Sequence, residues 1–212
     1  MSDIKVRVAT VDDVELLHRF SVDLATYEDE PDAVTSTPQT LARDGFGETP
    51  QFGALIAERD GKPVGFALYT FNYSVWTAAR GIFIEDIWVI PEERRSGVAR
   101  ALMQGLAEEC AAKGYKRIDL NVLDWNPARG FYEKVGFRWI RNWLPYRLGG
   151  KALEKLAATR STTQQCVPDW RLKVAAAALM VRCPATAKPL ARQAALRQIL
   201  VNEQRPPKHT GL

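Results

Sequence analysis

From Arg94 to Arg100 the chain reads Arg-Arg-Ser-Gly-Val-Ala-Arg, three arginines and a glycine in seven positions. The residues before it, Ile82, Phe83, Ile84, Ile87, Trp88, Val89 and Ile90, are β-formers, and Pro91 ends their run because it cannot donate to a ladder. Beyond it Ala99, Leu102, Met103, Leu106 and Ala107 recur at helical spacing. Gly97 lets the backbone approach a ligand closely. A helix start offers unpaired N–H groups and a positive dipole end. The chemistry of such a turn is capture of a phosphate or pyrophosphate; the competing reading is an ordinary strand-to-helix turn with solvated arginines. A second cluster, Tyr27-Glu28-Asp29-Glu30, closes a predicted helix. Acids there oppose the helix dipole, so the cluster is either a solvated helix end or a cation site.

The elements that must position these residues read as follows. Ile4 to Ala9 is a strand, and Thr10 caps the helix carrying Val14, Leu17, Ser21, Leu24 and Ala25 on one face. Thr37 and Pro38 open a short helix to Asp44, broken by Gly45-Phe46-Gly47. Ala54–Arg59 and Val64–Tyr73 are strands joined at the hairpin signal Asp60-Gly61. Residues 72–81 read as a loop, 82–90 as the central strand, and Ser96–Lys113 as the long helix, ended by Gly114. Arg117–Leu123 is a further strand, Asn126-Pro127 opens a helix to Val135, Arg138–Leu148 is a Trp-rich final strand, and Lys151–Ala157 is a short helix. That order predicts an α/β fold with a mixed sheet.

Composition narrows the class. At 212 residues, 46% hydrophobic and 25% charged, the chain fits one globular domain with an appendage. No apolar run is long enough for a membrane span and the N-terminus lacks a signal-peptide core, so no membrane role is expected. Three cysteines without framework spacing fit a reducing cytoplasm. No CxxC or HExxH occurs, and His18 and His209 lie in no motif, so neither a metal site nor a His-based triad is expected. The net charge of +4 is unevenly spread: residues 158–212 hold nine basic and two acidic residues, a net +7, which leaves the first 157 at −3. An acidic body attracts cationic small molecules. The basic tail has no aromatic interleaving or recognition module, so nucleic acid is an unlikely partner. It begins with a polar linker from Thr159 to Gln165, and Val174–Val181 and Leu190–Val201 have helical character. The expected division is 4–157 as the domain and 158–212 as a basic, loosely ordered extension.

Arg94-x-x-Gly97-x-Ala99 after a hydrophobic strand resembles the acetyl-CoA pyrophosphate signature of the GCN5-related N-acetyltransferases (GNAT). The segments YEDE, DGFGETP, VGFALYTFNYSVW, FIEDIWV, DWNP…FYEKVGF and NWLPYRL…LEKLA, in that order over residues 4–157, look like the spermidine/spermine (diamine) acetyltransferase branch. The resemblance implies the GNAT fold, acetyl-CoA as co-substrate, a homodimer, and acetyl transfer to a primary amine of a polyamine or diamine.

The resemblance also implies roles. Glu85 is the water-mediated base, needed because an alkylamine titrates near 10 and baring its lone pair at neutral pH costs roughly 4 kcal/mol. A bulge common in this fold would re-aim the adjacent Glu85 and Asp86, which otherwise point to opposite faces. Ile87, Trp88 and Val89 offer backbone groups to the pantetheine arm. Arg94, Arg95, Ser96, Gly97, Val98, Ala99 and Arg100 hold the pyrophosphate, with Asn126 and Lys134 as further cofactor contacts. Tyr132, six residues after Asn126, is the acid for the departing thiolate. Tyr27, Glu28, Glu85, Asp86, Asp119, Leu120 and Asn121 line the amine site, and Trp76 and Trp143 could add cation–π faces. Two other readings stand beside this one: an acetyltransferase for a lysine- or thialysine-like side-chain amine, and a non-catalytic acyl-CoA-binding protein.

Overall fold

A computed structural model describes residues 3–159 of the chain. The tail segments 174–181 and 190–201 lie outside the described residues, as does all but the start of the linker. The chain divides into two units, Met1–Asn142 and Trp143–Leu212. In the first, β1 (Ile4–Val8) is followed by α1 (Val14–Tyr27), α2 (Pro38–Phe46), β2 (Phe52–Arg59), β3 (Lys62–Ser74) and β4 (Ala79–Val89). Then come α3 (Val98–Lys113), β5 (Ile118–Leu120) and α4 (Arg129–Lys134). The described part of the second unit holds one helix, α5 (Gly150–Ala158).

The five strands form one mixed sheet in the order β1-β2-β3-β4-β5, antiparallel except for the parallel pair β4–β5. Alternation along the strands sends side chains to two cores. Leu55, Ala57, Ala67, Tyr69, Ile82 and Ile84 meet Val98, Leu102 and Leu106 of α3. Ile56, Phe66, Leu68 and Trp88 meet Leu17 and Phe20 of α1. Leu17 and Phe20 are almost wholly buried, each worth about 2 kcal/mol of apolar burial, and they fix the helix that ends at Glu28.

Arg7 ties the start of that helix to the sheet. It donates to both oxygens of Asp13 at 2.8 Å and to Glu58 at 2.6 Å. The guanidinium holds the Asp13 carboxyl down at about 2, so its stabilisation is present above the ordinary value of 3.8 and is lost as pH falls toward 2. Arg7→Met is expected to cost about 2 kcal/mol in urea unfolding and to erase that acid-side loss of stability.

Several boundaries differ from expectation. Residues 72–81 are a hairpin: Asn72 pairs with Gly81, Tyr73 with Arg80 and Ser74 with Ala79, leaving only 75–78 as a turn. The ladder already running between β3 and β4 simply continues, whatever the local polarity. Helix α2 runs through Gly45, which is buried where a Cβ would collide with the Phe52 ring. Helix α3 begins at Val98, because Arg95 and Gly97 hold a left-handed backbone that a right-handed helix cannot include. Strand β5 has only three residues, and Arg138–Leu148 forms no strand. Its Trp139, Ile140, Trp143, Leu144 and Tyr146 are exposed, and no described strand pairs with them.

Candidate active site

A bulge shapes the middle of β4. Leu68 pairs with Asp86 but Tyr69 pairs with Ile84, so Glu85 is the extra residue. Ile84 and Ile87 can therefore both face α3, while Glu85 and Asp86 both turn to the α1 side. Asp86 accepts a hydrogen bond from Ser21 of α1 at 2.9 Å, and Glu85 accepts one from Thr70 at 2.8 Å. Their surroundings differ: Asp86 is half-buried and Glu85 is exposed.

Asp86 forms one wall of a cavity of about 430 Å³. Ser21 and Leu24 of α1 and Glu28 just past its end line it, with Thr35 and Ser36 of the loop before α2. Among the described residues three carboxylates reach this space, from Glu28, Glu30 and Asp86, and no lysine or arginine lines it. Burial raises the Asp86 carboxyl above its ordinary value, against the Ser21 hydrogen bond that lowers it, and the Glu85 charge raises it further. Burial also raises Glu28, and the charge of Asp86 adds to that. Such a pair favours a bound cation, which relieves both penalties.

Tyr132 of α4 sits against this acidic corner. It is 8% exposed, packed against Phe131 and Phe137, and its hydroxyl has no hydrogen-bond partner among the described residues. Burial, and then the charge of Glu28, push the phenol up to about 12.

Beside it lies an aromatic cluster. Tyr27 is 5.7 Å from Trp88 and 6.0 Å from Trp125, ring centre to ring centre. The Arg94 guanidinium lies over both Tyr27 and Trp88, at 4.6 and 4.7 Å, and its Nε donates to the Val89 carbonyl at 3.2 Å. Of the two tryptophans expected as cation–π faces, Trp76 is at the hairpin tip, 88% exposed, and Trp143 belongs to the second unit. The Trp88 indole Nε1 is buried without a hydrogen-bond partner among the described residues.

The turn after β4 has the backbone form of an anion cradle. Arg95 and Gly97 both adopt positive φ, at 63° and 98°. The first bond of α3 runs from the Ala101 N–H to the Gly97 carbonyl, so the amides of Val98, Ala99 and Arg100 have no place in the helical ladder. Arg95 and Arg100 are exposed around it. Upstream, β4 parts from β5: their pairing ends at Ile84–Leu120, and from Glu85 to Val89 that edge of β4 has no described strand beside it.

The remaining candidates sit apart from the cavity. Asp119 is paired with Arg117 at 2.8 Å and with Asn72 at 3.0 Å, so its charge is already matched. Leu120 packs on the α3 side and Asn121 is exposed past the strand end. Asn126 uses its Oδ1 to accept from the Ala128 N–H at 2.9 Å, which shapes the turn into α4. Lys134 is exposed in the last turn of α4.

Residues 17–137 match the model of the acetyltransferase (GNAT) family. The chain belongs to that family. It is 37% identical over 169 residues to a thialysine N-epsilon-acetyltransferase of Sus scrofa, which covers 74% of this chain and 99% of the relative. It is 32% identical over 135 residues to spermidine/spermine N(1)-acetyltransferase-like protein 1 of Homo sapiens, covering 60% of this chain and 19% of that protein. Among solved structures, an integron cassette protein of V. cholerae superposes with a TM-score of 0.62 at 27% identity, covering 75% of this chain and 99% of that one. This GNAT protein is an N-acetyltransferase, and GNAT acetyltransferases use acetyl-CoA. The free helix-start amides and the open β4 edge fit a diphosphate and an amide-bearing arm. Among the described residues no group of His, Cys, Asp or Glu is arranged to hold a metal ion, and no helix is long and apolar enough to cross a membrane.

Four contributors to this GNAT site were absent from the sequence reading: Ser21 as the partner of Asp86, Thr70 as the partner of Glu85, Trp125 in the aromatic cluster, and the 35–36 wall. Ser21 carried a signal, being a polar residue on the core-facing stripe of α1. The others carried none, because they meet the site only through tertiary packing.

Proposed function

We propose that this enzyme acetylates the terminal primary amine of a small lysine- or thialysine-like amino acid. The observation that carries the reading is the cavity with three carboxylates, two of them raised by burial, beside a protonated buried phenol. It suits an alkylammonium on its way to becoming a nucleophile. The amino-acid choice is supported by the likeness to a thialysine acetyltransferase along nearly that protein's whole length. A polyamine is the second reading, favoured because no lysine or arginine among the described residues lines the cavity to receive a carboxylate.

In this reading Asp86 and Glu28 hold the ammonium. Glu85, oriented by Thr70 and open to solvent, takes the amine proton through water and passes it to bulk. The amides of 95–100 hold the diphosphate, and the backbone of Ile87–Val89 receives the pantetheine arm. Acetyl-CoA, when bound, supplies the thioester carbonyl that the amine attacks. Tyr132 then offers its O–H as a hydrogen bond to the departing thiolate, which takes the second proton from the acetylated nitrogen through water and leaves as the thiol. Arg94 must leave the Val89 carbonyl for the arm to pair there, which frees its charge for the diphosphate. A homodimer is part of this reading and is checked by sedimentation velocity.

A substrate panel tests it. We expect kcat/KM for thialysine to exceed that for spermidine and putrescine by at least about tenfold, the effect of one well-placed polar contact. A preference for polyamines establishes the second reading. No turnover of any alkylamine ends both.

A further inference from the structure

The turn between β4 and α3 is strained, and a side chain from another strand braces it. Arg95, a non-glycine residue, holds φ at 63°. Such a backbone persists only where its surroundings over-determine it. Arg59, the last residue of β2, reaches across: its Nη2 donates to Ser96 Oγ at 2.9 Å and lies 3.4 Å from the Ser96 carbonyl. Its Nε stands 2.9 Å from Glu93 Oε2, an ion-pair contact. Ser96 Oγ lies 2.7 Å from the Glu93 carbonyl and 3.1 Å from Glu93 Oε2. Arg59 and Glu93 side chains are 16% and 23% exposed, so salt screens the pair only weakly. One guanidinium thus grips residues on both sides of Arg95.

We propose that Arg59 is a positioning residue for acetyl-CoA: the Arg59–Glu93–Ser96 clamp holds the 95–100 amides in an anion-accepting arrangement before the ligand arrives. The clamp turns the Ser96 hydroxyl inward, so Ser96 meets the ligand through its main chain alone. Arg59 acts through the loop it braces and touches neither substrate. Without it, Arg95 relaxes toward a right-handed backbone, the amides diverge, and binding must then order them again. The proposal rests on this turn being the diphosphate site.

The experiment compares two acetyl donors that share the thioester arm. S-acetylpantetheine lacks the diphosphate and nucleotide; acetyl-CoA has both. Calorimetry with CoA should show Arg59→Gln binding about tenfold more weakly than wild type, the effect of a charge-assisted hydrogen bond. Its kcat/KM for S-acetylpantetheine should match wild type. Glu93→Gln, a milder change, should show the same selective loss, and Arg59→Lys an intermediate one. Unchanged CoA affinity in Arg59→Gln and Glu93→Gln overturns the clamp, as does an equal loss for both donors, which marks general damage. If the wild-type enzyme itself uses S-acetylpantetheine as well as acetyl-CoA, the diphosphate reading of the turn fails, and the clamp with it.

Discussion

Tyr132→Phe is expected to turn over about 100-fold more slowly than wild type while binding CoA with unchanged affinity. The ring stays packed against Phe131 and Phe137, so only the hydroxyl is lost. That hydroxyl is held at about 12, first by burial and then by the Glu28 charge, and it is a full O–H donor at neutral pH. An alkyl thiol titrates near 8.5, so outright transfer of the phenol proton to a thiolate runs uphill by roughly 3.5 units, about 5 kcal/mol. Complete donation is therefore the weaker account. A hydrogen bond that tightens as charge builds on sulfur is worth about 2–3 kcal/mol, which is the factor expected in kcat. The same argument predicts that wild-type kcat shows no alkaline fall attributable to Tyr132 below about 12. Single-turnover rates with saturating donor make the measurement, and a Phe variant as fast as wild type removes Tyr132 from the chemistry.

The residues legible in the sequence were those whose constraint is local. Gly97 between a β-former run and a helical stripe marks the anion turn, and the structure gives it positive φ. Thr37 caps α2 with Pro38 at its first position, and Asp60-Gly61 turns β2 into β3. What stayed illegible depends on partners distant in the chain. The ribbon beyond residue 72 lacks a clear apolar alternation, and pairing across the existing ladder decides its structure. Arg138–Leu148 has the composition of a strand, but composition supplies no partner, and none pairs with it among the described residues. The site shows the same divide. Glu85 and Asp86 were visible as adjacent acids, but which of them reaches the cavity is fixed by the bulge and by Ser21 on α1. Asp119 is a further acid expected at the amine site, and its contacts with Arg117 and Asn72 depend on the pairing of strands distant in the chain. Arg94 was visible as a loop cation; its place between Tyr27 and Trp88 follows from where α1 ends.

Asp86→Asn should separate function from stability. The amide keeps nearly the same shape and can still meet Ser21, but the charge is gone. With it goes half of the anionic pair facing the ammonium, and the KM for the amine should rise about 100-fold, the usual cost of removing one partner of a largely desolvated charge pair. Stability should move the other way. Burial raises the Asp86 carboxyl above its ordinary value, so the native state binds that proton more tightly than the unfolded chain. The stabilisation from protonation is fully present below the ordinary carboxyl range and is lost as pH rises through the raised value. Above that raised value the free enzyme carries an unrelieved charge, with that of Glu28 beside it. The Asn variant removes this burden, and its thermal midpoint in the absence of amine should equal or exceed that of wild type. Wild-type amine binding should also weaken on mild acidification at a pH above that of ordinary carboxylates, because Asp86 and Glu28 neutralise early; the Asn variant should lose the Asp86 part of that dependence. A variant that binds the amine as tightly as wild type, measured as KM at saturating acetyl-CoA, would show that the ammonium is held elsewhere. One that loses thermal stability and affinity together would make Asp86 a structural residue of the α1–β4 contact rather than a receptor for the substrate.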